Sequence, residues 1–405
     1  MKKKEVTKMK NRLSLCLVII LILMVFSVPV VHGDDWYGEY GKYYRVYDAE
    51  NNQLLFETAR EVSRGDQYLS GDNKMYHIVR VNTKSHLAYA EFVEEVQLPK
   101  VNKEALQKVQ LALKEGGLAA LILAQEGEEG GGEEEQDRRV GIYATHSAES
   151  YTPTDGSESI EGGGGILKVA EILKNSFDNY GVEGVFDNTS HEPHDAGAYK
   201  RSRRTAVQLM RDQGINTLID VHRDAVPAEA YLTEIEGEPA SKVRLVIGRR
   251  NQNFKANEEL AMQVKAVADE SRPGLIKDIF YAKGDYNQDL TPRAMLVEMG
   301  TYQHTRQRAE KAADYLAEVV TTALFGGIIE EEAADEEGVA PGPQRTGGVE
   351  ESNTGSGTGI IGLIAVIAIG GFAFLFLSSG GKEWKSKFSN FKQEFANFLG
   401  RRKRK

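Results

Sequence analysis

The chain has 405 residues, of which 41% are hydrophobic and 27% are charged, and its formal net charge is −10. This composition excludes a collagen-like or wholly disordered chain, and only two stretches are apolar enough for a bilayer, which excludes a multi-span transporter. The single cysteine, Cys16, lies inside the first of those stretches, so a disulfide framework, a cysteine zinc site and a cysteine nucleophile are excluded as well.

The charge is distributed unevenly, with two basic ends around an acidic middle. Residues 1–33 contain six basic side chains and one acidic side chain. The last 24 residues contain nine basic side chains and two acidic ones. Because binding to phosphates needs a basic surface, the acidic middle predicts that nucleic acid is not a partner.

Both ends carry membrane-type signals. A lysine-rich start, an apolar run and small residues before Asp34 predict a cleavable signal peptide over 1–33, and an uncleaved anchor is the alternative. Residues 359–379 are predicted to form a transmembrane helix. A helix of this length, which rises about 1.5 Å per residue, can span the hydrocarbon core of a bilayer, roughly 30 Å thick. The basic residues that follow place 380–405 in the cytoplasm. The middle is then extracytoplasmic, held at the cell membrane by a single C-terminal span.

The cytoplasmic tail, residues 380–405, has an amphipathic pattern. Aromatic residues from Trp384 to Phe398 recur at spacings of four and three, with lysines around them. This pattern predicts a basic helix that lies on the inner leaflet. The alternative is a signal that only retains the anchor.

Residues 34–98 predict a small all-β domain. Tyr, Val and Phe alternate with turn residues, which indicates a hairpin around Asn51-Asn52, a loop over 65–74 and a second strand pair over 75–96. Residues 99–138 predict a helix and then an acidic Gly/Glu linker. A second acidic linker over 327–358 would give a coil reach of about 30 Å.

The block 139–326 alternates short apolar runs with amphipathic helical patterns. Strands are predicted within 138–147, 184–188, 215–225, 242–249 and 293–302, and helices lie between them. This alternation predicts an α/β fold, a sheet flanked by helices on both faces and preceded by the small all-β domain. Active sites in such folds lie at the carboxyl ends of the strands.

Three of the predicted strands end in polar groups of one kind. His146 and Glu149 follow the first strand, His222 ends a central strand, and Glu298 ends the last. Two imidazoles and a carboxylate are the ligand set of a hydrolytic zinc site, in which zinc lowers the pKa of a bound water to about 7. A further carboxylate can relay the proton, and this role would explain Glu298 after an apolar run.

Each assignment has an alternative. His222 can be a loop residue, and Glu298 can pair with Arg293. Other candidates for metal or substrate contact are His191, His194, Glu158, Glu161 and Glu171. Arg201 and Arg203 can bind a substrate carboxylate through two parallel hydrogen bonds, or they can be solvated residues at a helix start.

Residues 139–325 resemble the catalytic domain of stage II sporulation protein P, a relative of the zinc N-acetylmuramoyl-L-alanine amidases. The resemblance rests on GIYATHSAESYTP, GGGGILKVAEIL, VFDNTSHE, AYKRSRRTA, IDVHRDAVP, RLVIGRRNQNF and MLVEMGTYQHT. The region around GDQYLSGDNKMYHIVRV is similar to the accompanying N-terminal domain. The resemblance implies that His146, Glu149 and His222 bind Zn²⁺ and that Glu298 is the catalytic carboxylate. Arg201, Arg203 and Arg223 are predicted to contact substrate.

The resemblance also implies a function. The family cleaves the amide between muramic acid and the stem peptide of peptidoglycan during engulfment of the forespore, with a lytic transglycosylase and a membrane protein as partners. Family members commonly have an N-terminal span, whereas the span predicted here is C-terminal. The alternatives are a zinc peptidase acting on stem peptides and a non-catalytic peptidoglycan-binding scaffold. The scaffold is favoured by Ala144, which stands where the family often has a histidine.

Overall fold

The computed structural model describes residues 42–117, 138–195 and 197–330. The predicted signal peptide, nearly all of both acidic linkers, the C-terminal span and the basic tail lie outside the described residues, so the domain boundaries there stay predictions. Among the described residues, none of the helices combines the length and the apolar character that a membrane crossing requires.

Five strands form the N-terminal part, β1 (Tyr44–Asp48), β2 (Leu54–Thr58), β3 (Gln67–Leu69), β4 (Lys74–Asn82) and β5 (Leu87–Glu95). The antiparallel pairs β1–β2 and β4–β5 confirm both predicted strand pairs. The first turn contains Asn52 at a φ of 58°, a conformation that asparagine tolerates well. The predicted loop over 65–74 was wrong in part, because Tyr68 and Leu69 are buried and their backbone pairs with strands on both sides.

The remaining elements alternate as predicted, and the α/β class is confirmed. They are α1 (Lys103–Gly116), β6 (Arg139–Tyr143), α2 (Thr152–Asp155), α3 (Gly165–Asn179), β7 (Glu183–Phe186), α4 (Ala198–Gln213), β8 (Thr217–Asp224), β9 (Leu232–Ile235), β10 (Glu238–Ser241), β11 (Val243–Gly248), α5 (Phe254–Ser271), β12 (Ile276–Ala282), β13 (Arg293–Thr301) and α6 (Arg306–Phe325). Short 3-10 turns lie at Ala228–Ala230 and Gln288–Leu290. Strands β9, β10 and β12 are additions to the predicted set.

One sheet of eleven strands joins the N-terminal strands to the rest, in the order β2-β1-β5-β4-β3-β12-β11-β13-β8-β6-β7. The junction is β3, which pairs antiparallel with β12 through Leu69 and Ile279. On the other side of the sheet, β13, β8, β6 and β7 are all parallel, so their carboxyl ends meet at one edge.

The two faces of the central strands are covered differently. Side chains that alternate along β13, such as Val297 and Leu296, enter two separate clusters. Helices α1, α3, α5 and α6 pack on the Val297 face. On the Leu296 face, α4 packs with β6 and β8, and the N-terminal strands pack over β11, β12 and β13. Helices therefore lie on both faces, as predicted, and the N-terminal strands cover part of the second face.

Candidate metal centre

The parallel pairing of β6 and β8 brings the predicted ligands together. Tyr143, near the end of β6, is the register partner of Asp220 in β8. The turn after β6 carries His146 and Glu149, and His222 lies two residues beyond Asp220 on the same face of the sheet. All three candidate ligands are buried.

The three side chains converge on one point. One potential ligand atom from each of His146, Glu149 and His222 lies within 4.8 Å of the other two. Glu149 Oε1 is 3.3 Å from His146 Nδ1 and 3.5 Å from His222 Nδ1. The two ring centroids are 4.9 Å apart and the rings are nearly perpendicular. This donor set, two imidazole nitrogens and a carboxylate oxygen, fits zinc with a fourth position left open.

The charges of the cluster suit a cation. Burial raises the pKa of Glu149, but His222, His146 and Arg223 outweigh it and hold that pKa well below its usual value. Burial lowers the pKa of His146 well below its usual value, which keeps this imidazole neutral as a metal ligand must be. For His222 burial also lowers the pKa, but Asp220 and Glu149 raise it to about 10. The protein without a metal therefore holds a proton at His222 near neutral pH.

A second layer of contacts orients the ligands. Asp220 Oδ1 is 3.0 Å from His222 Nε2 and accepts the backbone N–H of Thr145 at 2.8 Å. The backbone N–H of Arg223 donates to Glu149 Oε2 at 2.9 Å. Such carboxylate–histidine contacts fix the orientation of metal ligands. Asp220 was not among the predicted site residues, although its spacing of two from His222 in a strand indicates a shared face.

The start of α3 supports the turn that carries Glu149. The N–H of Gly164 donates to the carbonyl of Ser147 at 2.7 Å, and the N–H of Ile166 donates to the carbonyl of Glu149 at 3.0 Å. A Cβ at Gly164 would lie 2.0 Å from that Glu149 carbonyl oxygen. Only glycine permits this close approach, which explains why the glycine-rich segment lies directly before the helix.

Glu298 lies beside the cluster on the same face of the sheet. In β13 it is the register partner of His222, and its side chain is buried. Burial raises the pKa of Glu298 more than Arg60 and His222 lower it, so this pKa lies above its usual value. The structure pairs Glu298 Oε1 with Arg60 Nε at 2.6 Å, so the alternative partner Arg293, which is exposed, is not the one it uses.

The three arginines predicted to contact substrate have partners within the protein. Arg201 donates to the carbonyl of His191 and to Asp195, and Arg203 makes two parallel hydrogen bonds with Asp289 at 2.7 and 2.6 Å. Arg223 donates to the carbonyls of Ser150 and Glu158 and so holds the loop after β6. Their contact with substrate stays a prediction.

The two alternative histidines have different surroundings: His191 is held by structural hydrogen bonds, and His194 lies beside the candidate ligand His146. The ring nitrogens of His191 are 2.8 Å from the carbonyl of Ala144 and 2.8 Å from the Thr205 hydroxyl, so this histidine is a buried structural residue. The ring of His194 stacks on that of His146 with centroids 4.1 Å apart. The alternative carboxylates Glu158, Glu161 and Glu171 are not part of the cluster, which is the one metal-type group among the described residues.

Comparison with known proteins confirms the resemblance. The profile of the Stage II sporulation protein P family matches residues 63–321. Stage II sporulation protein P of Bacillus subtilis (strain 168) is 27% identical over 198 residues, which cover 44% of this chain and 49% of that protein. The chain therefore aligns with about half the length of this curated relative.

Two solved structures are also similar. The CwlD amidase of Clostridioides difficile, solved in complex with the GerS lipoprotein, has 13% identity and a TM-score of 0.33, covering 46% of this chain and 98% of that chain. The N-acetylmuramyl-L-alanine amidase Ami1 of Mycobacterium smegmatis has 13% identity and a TM-score of 0.30, covering 46% and 95%. Since the family profile extends over well more than half of the residues, the chain belongs to the stage II sporulation protein P family.

Proposed function

We propose that the chain is a zinc-dependent hydrolase that cleaves the amide between N-acetylmuramic acid and the L-alanine of the stem peptide in peptidoglycan. The observation that carries the proposal is the buried cluster of His146, Glu149 and His222, with the carboxyl group of Glu298 beside it. Family membership supports peptidoglycan as the substrate, because the sequence resemblance implies this bond.

The protein's own groups divide the chemistry between them. Zinc held by the three ligands would supply a Lewis acid that activates water and polarises the scissile carbonyl. Glu298 takes a proton from the attacking water and gives it to the departing nitrogen of L-alanine. Its raised pKa suits a group that must hold a proton between these two transfers. Asp220 and the backbone of Arg223 hold His222 and Glu149 in place throughout.

The cellular setting belongs to the same proposal. A hydrolase of the cell wall must lie outside the cytoplasm, which agrees with the predicted C-terminal span over 359–379. Family membership supports a role in sporulation, and the partners are then a lytic transglycosylase and a membrane protein. Protease added outside intact cells should digest the region 34–358 and spare the tail; digestion of the tail alone would contradict this topology.

The test of the bond is digestion of purified peptidoglycan by the full chain. The samples are the zinc-loaded protein, the protein with a chelator, His222→Ala and, as a control, His86→Asn. His86 lies in the β4–β5 turn at a φ of 51°, which asparagine tolerates. Mass analysis should show glycan strands freed of whole stem peptides from the zinc-loaded protein and from His86→Asn, and no product with chelator or from His222→Ala.

Two other outcomes would replace the proposal. Shortened stem peptides that remain attached to the glycan would make the protein a zinc peptidase. Tight binding to peptidoglycan with no zinc-dependent product would make it a scaffold. Ala144 is the residue that favours the scaffold; in the structure it is buried, and its carbonyl oxygen is 2.8 Å from His191 Nδ1.

A further inference from the structure

Arg60, which lies two residues after the end of β2, contacts Glu298, the acid of the candidate active site. Arg60 lies 238 residues before Glu298 in the chain, and both side chains are 1% exposed. Its Nε donates to Glu298 Oε1 at 2.6 Å, and its Nη1 donates to the Tyr199 hydroxyl at 3.0 Å. The Arg60 guanidinium carbon also lies 5.2 Å from the centroid of the Tyr286 ring. One planar group therefore connects Glu298 to side chains of two other segments.

The backbone next to Arg60 is bound to the same sheet. The N–H of Ala59 donates to Asp224 Oδ1 at 2.9 Å, at the end of β8. Arg244 Nη1 donates to the carbonyl of Glu57 at 3.0 Å, and Arg244 is the register partner of Glu298 across β11 and β13. Residues 57–60 are thus fixed at both the side-chain and the backbone level beside the acid.

The two oxygens of Glu298 have different surroundings. Oε1 accepts the hydrogen bond from Arg60, while Oε2 is buried and has no hydrogen-bond partner among the described residues. A carboxyl group that exchanges protons needs one fixed orientation and one oxygen available for the proton. The bond to Arg60 supplies the orientation and leaves Oε2 for the exchange.

We propose that Arg60 is a positioning residue for Glu298, and that the N-terminal strands complete the active site by supplying it. The proposal rests on the proposed function, since positioning matters only if Glu298 exchanges a proton. Lysine can replace Arg60 only in part, because a single ammonium group lacks the planar pair of donors that joins Glu298 to Tyr199. The N-terminal strands are therefore part of the catalytic unit and not a separable targeting domain.

The kinetic test compares full-length, zinc-loaded variants on soluble peptidoglycan fragments. We expect kcat to fall about 100-fold in Arg60→Ala and about tenfold in Arg60→Lys, with KM and zinc content unchanged. Tyr199→Phe should lower kcat by a smaller factor, about threefold, because Arg60 keeps its bond to Glu298. The control is Arg45→Ala, an exposed arginine in β1, which should behave like the wild type. A wild-type kcat in Arg60→Ala or Arg60→Lys would overturn the proposal.

If Arg60→Ala does not fold, Arg60→Lys and Tyr199→Phe decide the matter, since both keep a cation beside Glu298. A second readout needs no activity: the melting temperatures of Arg60→Met, Glu298→Gln and the double variant. Direct contact predicts that the double variant loses less than the sum of the single losses. Additive losses would overturn the Arg60–Glu298 contact even if hydrolysis is observed. Coupled losses without any hydrolysis would overturn the proposed function, and the positioning role with it.

Discussion

At the scale of single residues, the candidate centre balances one protonated and one neutral imidazole around a carboxylate. Asp220 and Glu149 hold the pKa of His222 at about 10, while burial lowers that of His146. A zinc ion can bind His222 only after its proton leaves, because a metal ligand must be the neutral imidazole. Metal binding and proton release are therefore coupled at this residue.

This coupling predicts the pH dependence of zinc binding. The pKa of His222 is raised above neutrality, so its proton is present at pH 7 and zinc must displace it. We expect the dissociation constant for zinc to fall about tenfold per pH unit between about pH 7 and pH 9. Calorimetry in buffers with different ionisation enthalpies should report about one proton released per zinc, and a release of none would contradict the assignment.

His194 offers a second test at this scale, because its ring stacks on His146. Replacing His194 by alanine removes the surface that keeps the His146 ring in place. Hydrogen-bonded supporting contacts are worth about 10–100-fold in metal affinity, and a ring stack holds its partner less firmly, so we expect His194→Ala to weaken zinc binding by no more than about tenfold. A competition titration with a chelator measures this, with His86→Asn as the control. Equal zinc affinities in the two variants would show that the stacking is incidental.

The proximity of the candidate ligands could be predicted from the sequence because each lies at or just beyond the carboxyl end of an apolar strand, and the sheet brings such ends together. His146, Glu149 and His222 meet in the structure for that reason. Arg60 could not be predicted in this way. It belongs to no motif, and its contact with Glu298 joins positions 238 residues apart.

At the scale of elements, the start of α3 is the feature that fixes the ligand-bearing turn. Gly164 approaches the carbonyl oxygens of Glu149 and Ala148 too closely for a side chain, whereas a Cβ on Gly163 would make only an ordinary contact with Leu167. Two neighbouring glycines of the same segment therefore differ sharply in what they tolerate.

We expect Gly164→Ala to displace the turn and to lower both zinc content and the melting temperature. Overlap of this size must be relieved by backbone movement, which costs about 1–3 kcal/mol or more. Gly163→Ala is the matched control and should keep the zinc content and melting temperature of the wild type. Metal analysis and thermal melting of both variants check this, and a wild-type zinc content in Gly164→Ala would contradict the role of the turn.

Two of the strands that were not predicted, β3 and β12, lack a local strand pattern for related reasons. β3 is only three residues long, and β12 directly follows a Pro-Gly turn after α5. Neither segment shows the period of a half-buried strand, because β12 is buried on both faces and β3 obtains its structure by pairing with β4 and β12. Tertiary pairing, not local propensity, decides such strands.

At the scale of the whole molecule, a buried arginine of β11 joins an ion-pair network in the central sheet to the backbone of the N-terminal strand β2. Arg244 donates to both oxygens of Asp278, at 2.6 and 2.9 Å, and also to Asp224 and to the carbonyl of Glu57. Burial raises the pKa of Asp278, but Arg244 and Lys277 outweigh it and lower that pKa to about 2. The continuous sheet could not be predicted from sequence, since it depends on the pairing of β3 with β12, whose residues Leu69 and Ile279 are far apart in the chain.

The buried pair of Arg244 and Asp278 predicts that the fold loses stability in acid. A carboxyl group whose pKa is lower in the folded chain stabilises the fold above its unfolded pKa and loses that contribution as the pH falls. For Asp278 the loss should be about 2 kcal/mol between about pH 5 and pH 2. Asp278→Asn should be less stable at neutral pH and should lack this part of the acid dependence. The control is Asp212→Asn, at an exposed position, and denaturant unfolding at several pH values compares the three.

The zinc site and its activity are tested together by a zinc titration of the metal-free full chain, in which the release of stem peptides from peptidoglycan is measured at each step. We expect no release without metal, a rise in release that ends at one zinc per chain, and no release from His222→Ala at any zinc concentration. Full activity in the metal-free protein, or zinc-dependent activity in His222→Ala, would contradict this expectation.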